Sequence, residues 1–102
     1  MAAVVLLNNA TSNGAGLTLD CVGKKKALFL VEGDFDAEIA LEATIDGTKY
    51  FSYGGYLGVN DIEVTRVKAP GYVKFNAEFV VGIRPVVVNY KYGTITVTGY
   101  AE

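Results

Sequence analysis

The side chains able to do chemistry in this chain are few. Glu32, Asp34, Asp36 and Glu38 form a carboxylate cluster, the donor type that holds a hard cation or works as an acid–base pair. A calcium loop opening at Asp34 needs Gly at its sixth position and Glu at its twelfth. Ile39 and Ile45 stand there, so the segment reads as an acidic turn between strands. Cys21 is the single thiol, and with no His to deprotonate it the expectation is a small buried apolar residue. Gly14-Ala15-Gly16 lacks the third Gly of a dinucleotide fingerprint, because Leu19 occupies that position. Gly23 followed by Lys24, Lys25 and Lys26 lacks the earlier Gly and the closing Ser or Thr of a phosphate loop. That Lys run reads as a solvated turn or a charged strand edge. With no His, no Trp and one Cys in 102 residues, the expectation is a non-enzyme: catalytic residues none, metal ligands none, cofactors none.

What remains is a surface. Tyr50-Phe51-Ser52-Tyr53-Gly54-Gly55-Tyr56-Leu57-Gly58 is aromatic and Gly-rich. It reads either as a binding loop with rigid aromatics on flexible backbone, or as a turn whose aromatics cap the core. On the first reading Tyr50, Tyr53 and Tyr56 are the candidate partner-binding residues. Seven Tyr and a 51% hydrophobic composition in one small domain point to surface covered by another subunit, hence a homo-oligomer. A net charge of −2 argues against a general nucleic-acid binder. The start Met1-Ala-Ala-Val-Val-Leu-Leu has no basic leader region and its apolar run stops at Asn8, too short for a signal peptide or a membrane span. Together with the lone Cys this predicts a chain made in a reducing cytoplasm.

The elements that would carry this surface are strands. From Ala37 to Ile45, Ile39, Leu41, Ala43 and Ile45 share one face, while Glu38, Ala40, Glu42 and Thr44 share the other. Ala, Glu and Leu favour helix, but the period of two decides for strand, and Asp46-Gly47 suits a tight hairpin turn into Lys49–Tyr53. Tyr72 to Val81 alternates in the same way, with Val73, Phe75, Ala77, Phe79 and Val81 together. Pro70-Gly71 suits a type II turn joining it to Asp61–Lys68 as a second hairpin. Lys25–Glu32 is apolar on both faces, as a doubly covered strand would be. Ala3–Leu7, Leu17–Val22, Val86–Tyr92 (starting after Pro85, which belongs at a strand start or an edge) and Thr94–Thr98 complete the set. Eight or nine short strands in one domain spanning residues 1–102 predict an all-β antiparallel β-sandwich, jelly-roll or immunoglobulin-like.

Ile39-Ala-Leu-Glu-Ala-Thr-Ile-Asp-Gly-Thr-Lys-Tyr50 resembles a strand–turn–strand pattern of small β-sandwich virion structural proteins of tailed bacteriophages. Pro70-Gly-Tyr-Val-Lys-Phe-Asn-Ala-Glu-Phe79 and Gly93-Thr-Ile-Thr-Val-Thr-Gly99 are similar to their later strands, with Lys74 where Arg is usual and Tyr50 where Trp is common. The resemblance implies a capsid decoration (cement) protein located on the virion. Its partner would be the major capsid protein or another virion protein, and it would assemble as a trimer. A tail or fibre component is the neighbouring alternative, and a carbohydrate-binding module using the same Tyr side chains is the rival from another class.

Overall fold

The computed structural model describes residues 3–102; Met1 and Ala2, where the leader argument begins, lie outside them. Ten strands form one antiparallel sheet: β1 Val4–Ala10, β2 Gly14–Ala15, β3 Leu19–Asp20, β4 Lys26–Thr44, β5 Tyr50–Ser52, β6 Gly55–Leu57, β7 Glu63–Val64, β8 Arg66–Val67, β9 Gly71–Asn76 and β10 Gly82–Ala101. The main path runs β1-β10-β4-β9-β6-β7, with β2 and β3 also on β10 and β5 and β8 on β4. The expected all-β antiparallel architecture is present, but two strands of 19 and 20 residues dominate it. They pair from Ala27 opposite Ala101 to Thr44 opposite Gly82.

Alternation holds along both long strands. Phe29, Val31, Ala37, Ile39, Leu41 and Ala43 of β4 are buried, as are Ile83, Val87, Ile95 and Val97 of β10. The two halves of the sheet therefore bury the same face. All these residues meet in one core, so the sheet folds over on itself into a sandwich-like body. The crease lies where β4 and β10 both bend. Gly33 pairs with Ile95 and Gly93 with Phe35, flanking the Thr94–Asp34 pair, and both glycines have positive φ (125° and 99°). A Cβ on Gly33 would run into the Thr94 carbonyl oxygen, and one on Gly93 into that of Asp34. Only glycine lets the two backbones approach this closely in that conformation. Next to the crease, Asn89, Tyr90 and Lys91 bulge out opposite Ala37, between the Val88–Glu38 and Tyr92–Asp36 pairs. Two extra residues keep the inward–outward phase, so the core positions stay in step.

Several expectations are corrected. The acidic segment Glu32–Glu38 is strand throughout, not a turn, and its four carboxylates occupy successive outward positions. Lys25–Glu32 is central but covered on one face only, since Leu30 is 40% exposed. Thr44 is buried in place of Ile45, which is 65% exposed beyond the strand end. Thr44 pairs with Tyr50, so a five-residue loop replaces the tight Asp46-Gly47 turn. It is organised by Asp46, whose Oδ1 accepts from the Thr48 and Lys49 amides, each at 2.9 Å. β9 stops at Asn76, and Phe79 is 74% exposed rather than inward. Asp61–Lys68 does not pair with Tyr72–Val81; β8 and β9 both lie against β4 instead. Pro85 sits inside β10, opposite Leu41. Its carbonyl accepts from the Gly16 amide (2.8 Å), so its missing donor faces the same flank, in the gap between β2 and β3.

Candidate partner-binding surface

The three candidate tyrosines do not form one platform. Tyr50, on β5, is half-buried. Its hydroxyl is 2.7 Å from Thr18 Oγ1, and the Arg84 guanidinium lies 3.6 Å from its ring centroid. Arg84 donates through Nε (3.0 Å) and Nη2 (2.8 Å) to Glu42 Oε1. Arg84 and Glu42 are directly opposite on β10 and β4, so sheet register fixes the pair, and Tyr50 closes over it as a cation–π lid. Arg66 of β8 likewise donates to Glu38 (2.9 Å), which holds the Glu38 carboxyl below its ordinary range. This half of the sheet thus presents an outer face of matched charges.

Tyr53 is a core cap. Its amide donates to the Leu41 carbonyl (2.9 Å) and its hydroxyl to the Asn76 carbonyl (2.6 Å). The ring stacks on Phe75 (centroids 6.5 Å) and meets Phe51 edge-on (6.1 Å). Phe75 in turn meets Phe29 edge-on at 4.8 Å, so Tyr53 ends an aromatic row reaching into the core. Burial raises its phenol pKa. The neighbouring Gly55 is buried as well: a Cβ there would strike Val73 and Phe75. Gly55 thus lets backbone lie directly on the core, a different role from loop flexibility.

Tyr56 alone is presented to solvent, at 43% exposure, on β6 opposite Lys74 and Glu63. Around it lies a feature that sequence reasoning missed. Val59 (88% exposed) and Ile62 project from the β6–β7 connection beside an open groove of about 710 Å³. Leu57, Val64 and Tyr72 supply apolar walls to this groove, and Arg66 and Lys68 supply its cations. Asn60 accepts from the Ile62 amide (3.1 Å), Asp61 takes a positive φ of 57°, and Lys74 donates to Asp61 Oδ1 (2.7 Å). The signal was present in Gly58-Val-Asn-Asp-Ile62: a polar turn pair that breaks alternation leaves both flanking apolar residues without inward positions. The described residues contain no group of three or more His, Cys, Asp or Glu placed to share a metal ion. Cys21 is buried, and desolvation raises its thiol pKa to about 11.

No protein-family model matches the chain, and no curated protein matches it in sequence. Solved structures do match in fold. Over 98% of this chain the SPBc2 prophage-derived protein YomS superposes with a TM-score of 0.88 at 16% identity, and 90% of YomS is covered. The PBSX exported protein XepA superposes over 98% with a TM-score of 0.91 at 19% identity; the chain spans 37% of XepA. At these identities the likeness is one of fold.

Proposed function

We propose that the chain is a non-enzymatic structural protein of a bacteriophage virion. In this reading it is a capsid decoration protein that seats its β6–β7 rim on the major capsid protein or another shell subunit, and it self-associates. The observation that carries the reading is the exposure of Tyr56, Val59 and Ile62 on and around the β6–β7 connection, with Val59 lining the groove, while the outer face of the Glu38–Glu42 part of β4 is closed by ion pairs. Isolated exposed apolar residues need no explanation, but exposed apolar side chains close to an apolar-walled groove are typical of a protein-binding surface. The likeness in fold to two prophage-derived proteins supports a phage setting, and the sequence resemblance is what supports capsid decoration within it. Each Å² of apolar rim buried contributes about 25 cal/mol before the costs of association.

The test is the protein content of virions purified from the phage or prophage that encodes the chain. The expected result is a fixed copy number per particle, lost from particles carrying Val59→Asp with Ile62→Asp although the variant keeps its circular dichroism spectrum. Absence of the native chain from particles refutes the virion reading. A glycan-array signal abolished by Tyr56→Ala would favour a sugar-binding module instead.

A further inference from the structure

The outer face of the other half of the sheet carries a polarity pattern along one strand. Phe29 and Val31 of β4 point inward, so Lys26, Leu28, Leu30, Glu32 and Asp34 point outward in that order. Register sets Tyr100 and Lys74 on either side of Leu28, and Thr98 and Tyr72 on either side of Leu30. Val5 of β1 continues the second row beyond Thr98. The face therefore has a cationic end at Lys26, an apolar middle at Leu28, Leu30 and Tyr72 with Lys74 beside Leu28, and an acidic end at Glu32 and Asp34. Lys26 reaches Glu102 (3.0 Å) and Lys74 reaches Asp61 (2.7 Å), but these are exposed pairs of little energetic weight, able to exchange partners.

From this pattern we infer that the face docks a second copy of this chain in a two-fold contact. The complement such a surface needs is apolar in the middle, acidic opposite Lys26 and cationic opposite Glu32, which is the surface itself turned end for end. A two-fold axis lying between the sheets and crossing the strands midway between Leu28 and Leu30 achieves this. It reverses β4 over its copy, sets Leu28 against the second copy's Leu30, and sets Lys26 against its Glu32. The contact is isologous and closes at two chains, with sheets about 10 Å apart as in ordinary face-to-face packing. The same axis keeps strand order, so both β6–β7 connections, with Val59 and Ile62, lie along one side of the pair, and Tyr56 stands beside Lys74 at the margin of the contact. This inference rests only on the self-association part of the reading above, and a pair is a different arrangement from the trimer that the sequence resemblance implies.

The test is sedimentation velocity with light scattering on the full chain up to about 100 µM, where association by mass action is visible. The expected mass is twice 10.9 kDa. Leu30→Glu should give single chains with an unchanged circular dichroism spectrum, since Leu30 is exposed in the monomer. Lys26→Glu and Glu32→Lys, each opposing like charges twice across the axis, should each raise the dissociation constant roughly tenfold. The double variant restores both pairs and should return it to near the parent value. A single-chain mass throughout, a mass above two chains, a pair indifferent to Leu30→Glu, or a charge swap without rescue each overturns the inference. A monomer that still decorates particles overturns this inference and the self-association it rests on but leaves the virion reading standing; a pair absent from particles overturns the virion reading alone.

Discussion

Truncating Tyr53 should cost far more stability than truncating Tyr56, although the two stand in the same Gly-rich segment. Tyr53→Phe removes the bond to the Asn76 carbonyl, which lies near solvent and can be rehydrated, so the loss sits at the low end for a hydrogen bond, about 0.5–1 kcal/mol. Tyr53→Ala also removes the ring stacked on Phe75 and leaves a gap above the Phe29–Phe75 pair. Full burial of an aromatic ring would put that at about 3–5 kcal/mol; the partial exposure of Tyr53 brings the total to about 2–4 kcal/mol. That is a large share of a total of about 5–15 kcal/mol, and at about 4–8 °C per kcal/mol it lowers Tm by roughly 8–32 °C. Tyr56→Ala, on the surface, should stay within about 0.5 kcal/mol of the parent. Urea titrations of the three variants against the parent, with thermal melts alongside, give the order directly. If Tyr53→Ala and Tyr56→Ala melt together, the core-cap assignment is wrong and Tyr53 belongs with the binding residues.

Leu41, fully buried on β4, should not tolerate a carboxylate: Leu41→Asp is expected to abolish the cooperative melt, whereas Glu42→Lys, which sets a cation against Arg84, keeps it with a loss of about 1–2 kcal/mol. Arg84→Lys should cost about 0.5–1.5 kcal/mol by urea titration, because a lysine cannot keep both the Nε and Nη2 bonds to Glu42 and the contact over Tyr50. The amides of Lys49 and Thr48 lower the Asp46 pKa to about 2 from 3.8. A folded-state pKa below the unfolded one gives stability that is full above the unfolded value and lost as pH falls through the folded one. The melting difference between the parent and Asp46→Asn should therefore narrow from about pH 5 to about pH 2, and a constant difference would refute the loop assignment.

Much of the fold was legible because alternation is a local property. Ile39, Leu41, Ala43, Val73 and Phe75 are inward as their spacing predicts. Alternation in fact runs on through Glu32–Glu38, but a carboxylate at every second position beside Gly33 imitates a turn. Only the partner strand β10 shows that these charges face solvent along a crease. Pro85 misled for a similar reason: its place inside a strand depends on a gap between β2 and β3, set by residues far away in sequence. The tyrosines could not be sorted from their own segment, since Thr18, Arg84 and Asn76 decide which of them are tied down. Phe79 shows the opposite failure, an alternation that continues in sequence after the strand has ended at Asn76.

The central position of β10 has a consequence for the protein while it is being made. β1, β2, β3 and β4 all take β10 as a partner, and β10 is the last of the ten strands to leave the ribosome. Between completion of β4 and completion of β10 lie almost sixty residues of synthesis, about 3–12 s at about 5–20 residues per second. Throughout that interval β4 is a long, β-prone segment without its main partner, the kind of stretch that associates with neighbouring nascent chains. Glu32, Asp34, Asp36 and Glu38 then act as gatekeepers, giving the waiting strand a negative charge at every second residue over its middle third. The four carboxylates thereby keep β4 soluble until its partner arrives.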